Sequence, residues 1–214
     1  MYGQVWFEQS YFEESYCSNY LKYTDRCYDK LAVALASECS MKTKDVIVDY
    51  GCATGALISS LKKLGFKKLT GTDISYWAIE YGKRQFHLTK ELQHYNRNLL
   101  LAPKDWLIVL DVLEHMPTRK ELRLTFKLIQ ASIIRKGLIV RVPVSAKEKE
   151  DFYFEESRKD KTHFQKHCKK WWLKFFASFD FYPLKYFASE PQIWDSTGVL
   201  AVLLGRPNQG RRKE

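Results

Sequence analysis

The sequence predicts a doubly wound α/β domain, a mainly parallel sheet with helices on both faces. Three observations carry this. Val46–Leu61 (VIVDYGCATGALISSL) reads as a strand, a glycine-punctuated turn and a helix. Strand-like and helix-like patterns then alternate as far as Val142, as they do when helices cross between parallel strands. Finally, Phe181–Phe187 and Gly198–Leu204 suit a terminal antiparallel pair.

The elements follow in order. Residues 1–22 are dense in aromatics and acids, with Trp6, Phe7, Tyr11, Phe12, Tyr16 and Tyr20 among Glu8, Glu13 and Glu14. Tyr23–Cys39 is a helix on the spacing of Tyr28, Leu31, Ala32 and Leu35. Val46–Tyr50 is the first strand, and its turn contains Gly51 and Gly55, where the backbone bends sharply and leaves room for a ligand. Helix Ala56–Leu64 starts at that turn and offers free N–H groups to a negative group. Next come strand Lys68–Asp73, helix Tyr76–Arg84, a weaker strand near Tyr95–Leu100, strand Leu107–Asp111, helix Arg119–Arg135 and strand Leu138–Val142. Phe164, Cys168, Trp171, Trp172, Phe175, Phe176 and Phe179 recur at helical spacing and mark an amphipathic, core-facing helix. No linker separates a second domain, so the expectation is one domain over 1–205, with 1–40 as N-terminal cap and helix, and a basic disordered tail over 206–214.

The glycines of the first turn are four apart, which is not the G-x-G-x-x-G dinucleotide spacing. Asp49-Tyr50-Gly51-Cys52-Ala53-Thr54-Gly55 resembles the first motif of the class I S-adenosylmethionine-dependent methyltransferases. Three further segments resemble the same family in order. Lys68–Ser75 (KLTGTDIS) is the second strand, with Asp73 placed 24 residues after Asp49. Asp105–Pro117 contains the fourth strand and the D-V-L-E-H-x-P ending, and Lys136–Pro143 the fifth strand. Ala53 stands where the family more often has glycine, and Gln93–Leu101 lacks the acid that usually meets adenine, leaving Asn96 or Asn98 as amide acceptors.

The resemblance implies a seven-stranded Rossmann-like methyltransferase fold with an antiparallel terminal strand, and S-adenosyl-L-methionine as cofactor. Gly51, Cys52, Ala53 and Gly55 would line its methionine end, Asp49 would organise the turn, Asp73 would accept from the ribose hydroxyls, Ile74 would pack on adenine, and Asp111 completes the cofactor set. A carboxylate suits a diol because it accepts two hydrogen bonds at once. The aromatic N-terminal segment resembles the cap that closes the pocket in small-molecule members. Asp160-Lys161-Thr162-His163 resembles a D-x-T-H pattern on their substrate side.

Methyl transfer onto a hydroxyl needs the acceptor held near the methyl carbon and its proton removed, work that suits histidine near neutral pH. His163, on the long connection 145–163, and His115, in the E-H-x-P segment, are the catalytic candidates. Asp111 and Glu114 with a histidine form a conceivable magnesium set, but carboxylates at such positions more often orient backbone or cofactor, and no metal is expected.

Composition sets the remaining expectations. Lys and Arg number 35 against 25 Asp and Glu, a net charge of +10, which suits a partner bearing phosphates as well as a solvated surface. Five scattered cysteines without a C-x-x-C pair suit reduced thiols and a cytoplasmic setting. No apolar run approaches a membrane span. The favoured expectation is therefore methyl transfer to a small-molecule acceptor at a hydroxyl. The alternatives are RNA or protein methylation through the basic surface, and a non-catalytic scaffold that retains the fold.

Overall fold

The computed structural model describes residues 7–13, 25–148, 150–187, 193 and 197–207. Trp6, Tyr16 and Tyr20 of the expected cap, and 208–214 of the expected tail, lie outside the described residues. The chain divides after Asn96 into two compact units.

The first unit is built on three parallel strands. β1 (Val46–Tyr50) pairs with β2 (Lys68–Asp73), Asp49 lying opposite Gly71, and β2 pairs with the short β3 (Leu92–His94), Asp73 lying opposite His94. Its helices are α1 (Gln9–Glu13), α2 (Asp25–Glu38), α3 (Ala56–Lys63) and α4 (Tyr76–Gln85). Leu31, Ala32 and Leu35 bury one stripe of α2, as their spacing predicts, and Lys63 of α3 pairs with Asp29 of α2 at 3.3 Å. Ser75 caps α4, its hydroxyl accepting from the Ala78 N–H at 3.0 Å, which satisfies one of the donors a helix start leaves open.

The second unit contains α5 (Arg97–Leu101), β4 (Lys104–Leu110), a 3₁₀ turn (Leu113–His115), α6 (Arg119–Ala131), β5 (Ile134–Pro143), α7 (Glu155–Lys159), α8 (Lys169–Ala177), β6 (Tyr182–Tyr186) and β7 (Val199–Gly205). β4 and β5 are parallel, β7 runs antiparallel to β5, and β6 antiparallel to β7. Phe126 of α6 is surrounded by Phe175, Phe176, Phe179 and Phe181 at ring distances of 5.0 to 6.4 Å, so the aromatic series of α8 builds core. β6 is exposed at every residue, and its register against β7 shifts between Pro183 and Lys185.

The strands form one seven-stranded sheet in the order β3-β2-β1-β4-β5-β7-β6, mostly parallel with the antiparallel terminal strand predicted. No helix among the described residues is long and apolar enough to cross a membrane.

The structure corrects three boundaries. The third strand is Leu92–His94, and the expected strand near Tyr95–Leu100 is largely the helical turn α5. Of the three consecutive leucines only Leu100 is buried there and Leu101 is 41% exposed, so the segment buries one side of a helical turn. α6 stops at Ala131, where Ser132 turns extended and donates its hydroxyl to the Ile129 carbonyl at 2.7 Å, and the following residues enter β5. α8 starts at Lys169, after the connection over 164–168. Arg206, read from the sequence as the first residue of a tail, lies 4.9 Å over the Phe181 ring and donates to the carbonyls of Ile129 and Gln130.

Lys104, at the start of β4, is fully buried, its ammonium donating to the Leu100 carbonyl at 2.8 Å and to the Ala102 carbonyl. Burial lowers its pKa to about 8. The folded state thus releases this proton near pH 8 while the unfolded chain holds it to about 10.4, so this group's penalty on the fold fades as pH rises through that window. Lys104→Met is expected to be more stable than wild type near pH 7 relative to pH 10, the gap between them closing by up to about 3 kcal/mol. Urea denaturation of both proteins at the two pH values measures it, and a pH-independent gap refutes it.

Candidate functional site

In the first unit the glycine turn is closed by a carboxylate from the neighbouring strand. Gly51, Ala53 and Gly55 all take left-handed backbone conformations, with φ of 77°, 47° and 77°. Glycine does so without cost, while Ala53 bears a Cβ penalty that surrounding bonds must offset. Those bonds are present. The N–H groups of Gly51 and Cys52 donate to the Thr72 carbonyl at 2.8 and 3.1 Å, and the Ala53 N–H donates to Asp73 Oδ2 at 2.8 Å. Asp73 Oδ1 accepts from the Ser75 N–H at 2.8 Å.

Asp73 therefore has a structural task that its position at a strand end did not reveal: it joins the first turn to the start of α4. A carboxylate has about four acceptor positions, and these two backbone donors leave capacity for a diol. Burial raises the pKa of Asp73, while the Ser75 and Ala53 N–H groups hold against that rise by favouring the anion. Asp49 is buried on β1. Cys52 is buried as well, and its thiol is pushed well up, first by burial and then by the charges of Asp49 and Asp73, which disfavours the thiolate. The Ile74 carbonyl lies 2.7 Å from His94 Nε2.

Two further contacts support the turn, of which the first escaped the sequence analysis. Gly82, inside α4, packs so close to the turn that a Cβ there would stand 1.9 Å from the Thr54 carbonyl oxygen. A lone glycine in a helical pattern was the only available signal. Tyr11 and Phe12 of α1 are buried with Ala53 and Ala78, and Phe12 stacks on Trp77 at 5.4 Å. The described piece of the N-terminal segment thus packs on the turn residue that departs from glycine.

In the second unit the D-x-T-H segment returns to the 3₁₀ turn. The N–H groups of Phe164 and Gln165 donate to the Glu114 carbonyl at 2.8 and 2.9 Å, and Gln165 Nε2 donates to the Met116 carbonyl at 2.6 Å. This brings His115 and His163, distant in sequence, to a ring separation of 4.6 Å. Asp160 Oδ1 accepts from the Thr162 N–H and hydroxyl at 2.8 and 2.6 Å, and His115 Nδ1 lies 2.8 Å from that hydroxyl. Burial, and secondarily His163, lower the pKa of His115 to about 4, so its imidazole is neutral at pH 7. Glu114 is pushed well up by burial and by the charge of Asp111. Asp111 itself sits at φ 54°, and its carboxylate receives Arg141 in a two-pronged ion pair, Nε lying 2.9 and 3.1 Å from its oxygens. Arg141 was not singled out by sequence, because an arginine inside a strand bears no motif.

Comparison with known proteins bears on the fold. No family model matches the chain. The ribosomal protein L11 methyltransferase of Shewanella sp. strain ANA-3 is 46% identical over 41 residues, 19% of this chain and 14% of that protein, so the match spans a small part of this curated relative. Among solved structures, magnesium protoporphyrin IX methyltransferase from Synechocystis PCC 6803 with bound SAH superposes with a TM-score of 0.60 at 17% identity, covering 85% of this chain and 83% of that one. The methyltransferase domain of bacterial CtHen1-C gives 0.56 at 19% identity, over 85% of this chain and 97% of that one.

Proposed function

By fold, we infer that the chain belongs to the class I S-adenosylmethionine-dependent methyltransferases, and we propose that it is an active member whose acceptor is RNA. The observation that carries the methyltransferase reading is the glycine turn closed by Asp73, whose carboxylate keeps spare acceptor capacity for a nucleoside. Gly51, Cys52, Ala53 and Gly55 would hold the methionine end, Asp73 the ribose and Ile74 the adenine, with Asp49 and Asp111 ordering the turns around them. When bound, S-adenosylmethionine supplies a methyl group already activated on a sulfonium.

The chain's own residues would then position the acceptor. His115, neutral and oriented through Thr162 and Asp160, and His163 beside it would hold the acceptor oxygen. A group with a pKa near 4 is a weak proton acceptor at pH 7, so His115 suits positioning better than base catalysis.

The macromolecular acceptor is favoured over the small molecule by charge and by the surface of the connection after β5. The net charge of +10 suits a polyanion. On that connection Tyr153, Phe154 and Phe164 are 41 to 47% exposed beside exposed Arg158 and Lys161, while Lys159 and Lys166 pair with Glu155 and Asp151 of the same segment. Aromatic faces beside cations bind unpaired bases along a phosphate backbone. A curated relative named as a ribosomal protein methyltransferase supports a macromolecular acceptor more broadly.

The test is transfer of radiolabelled methyl from S-adenosylmethionine to separated RNA, protein and low-molecular-weight fractions, alongside S-adenosylhomocysteine titration by calorimetry. Label in RNA, falling as salt rises, is expected. Label confined to small molecules or protein overturns the acceptor assignment. Absence of S-adenosylhomocysteine binding at millimolar concentration overturns the enzyme and leaves the scaffold reading.

A further inference from the structure

We propose that Glu114, His115 and His163 form a binding site for one divalent transition-metal ion. One carboxylate oxygen and one nitrogen from each imidazole lie within 4.8 Å of one another. Ligands about 2.1 Å from a shared ion stand up to about 4.2 Å apart, so small side-chain movements complete the site.

The hydrogen bonds indicate which nitrogens can serve as ligands. His163 Nδ1 lies 2.8 Å from the Ser157 carbonyl, which can only accept, so Nδ1 carries the proton and Nε2, 3.6 Å from Asp160 Oδ2, is the nitrogen with a lone pair. His115 Nδ1 lies 2.8 Å from the Thr162 hydroxyl and 3.2 Å from the Thr162 carbonyl. That hydroxyl gives its own proton to Asp160 at 2.6 Å and so accepts from His115, leaving Nε2 again as the basic nitrogen. Metal-bound histidines are commonly held in this way, the second nitrogen donating to a carbonyl or to a group backed by a carboxylate.

A second observation is independent of the histidines. Glu114 is 1% exposed, and neither of its carboxylate oxygens has a hydrogen-bond partner among the described residues. Buried carboxylates are normally paired or bound to a cation, since isolation in a protein interior is costly. Its backbone carbonyl meanwhile accepts from the N–H groups of Phe164 and Gln165, so the side chain is placed by the same contacts that bring His163 to His115.

Two imidazoles with one carboxylate favour manganese, iron, cobalt or zinc over magnesium or calcium. Three protein ligands leave coordination positions for water or an oxygen of the acceptor. This departs from the sequence expectation of no metal, and with the ion bound His115 and His163 would act on the acceptor oxygen through it rather than by direct contact. The effect on the acceptor rests on the methyltransferase reading, whereas metal binding itself does not.

The full chain, stripped with EDTA and dialysed against manganese or zinc, is expected to retain about one ion per chain by elemental analysis. Glu114→Gln and His163→Ala are each expected to weaken retention more than tenfold while S-adenosylhomocysteine binding persists. The added ion should raise the melting temperature of wild type and leave that of the variants unchanged, a measurement that also establishes whether they fold. Cobalt loading adds a visible spectrum that the variants should lose. No retained metal in the wild type, or equal retention in both variants, overturns the site. Metal retained without S-adenosylhomocysteine binding leaves the site standing and removes the methyltransferase reading.

Discussion

Replacing Gly82 by alanine is expected to destabilise the protein by about 3 kcal/mol, the upper end of overpacking costs, although alanine is the better helix former. In an exposed helix the exchange would gain up to about 1 kcal/mol. Here the added Cβ would stand 1.9 Å from the Thr54 carbonyl oxygen and 2.8 Å from its carbon, and a backbone group cannot swing aside as a side-chain tip can. Either α4 moves off the turn or the turn opens. Typical total stability is about 5–15 kcal/mol, so the variant should unfold at much lower urea and lose S-adenosylhomocysteine affinity in whatever remains folded. Denaturation and calorimetry on one preparation check both, and an unchanged urea midpoint refutes the packing argument.

Asp73→Ala should lower S-adenosylhomocysteine affinity by about ten- to a hundredfold, about 1–3 kcal/mol, and destabilise the apoprotein as well. The two effects have one source. The carboxylate accepts from the N–H groups of Ala53 and Ser75, so its loss frees the strained turn and uncaps the approach to α4 while removing the ribose acceptor. Asp73→Asn separates them in part. Its single carbonyl oxygen can serve one backbone donor, while its amide nitrogen faces the other, so rescue should be incomplete in both stability and affinity. Wild-type affinity in a folded Asp73→Ala variant would remove Asp73 from the cofactor site.

Much of this architecture was legible because it is periodic. β1, β4 and β5 contain apolar runs ended by turns, and a parallel arrangement follows from the helices between them, whereas β2, with Leu69 as its one large apolar residue, was legible through the acid at its end. The third strand was misplaced because Leu99, Leu100 and Leu101 have no period that separates a strand from one turn of helix. The glycine turn was legible because φ near 77° at Gly51 and Gly55 demands their residue type. The Gly82 contact was not, since only tertiary packing brings Thr54 against α4. His115 and His163 were each identified by local pattern. Their meeting around the carboxylate of Glu114, which has no hydrogen-bond partner among the described residues, depends on a loop closure across 47 residues, and no local spacing encodes it.

The last strand of the sheet has a consequence for how copies of the chain meet one another. β6 ends the sheet order with Tyr182, Leu184 and Tyr186 between 43 and 58% exposed, a composition that would invite another chain to extend the sheet. Pro183 contributes no N–H to such pairing, Lys185 adds a charge, and the register shift between them bends the free rim. Concentrated protein should therefore stay dispersed where a straight apolar rim would seed fibres, and Pro183→Val with Lys185→Val would be the change that invites polymerisation.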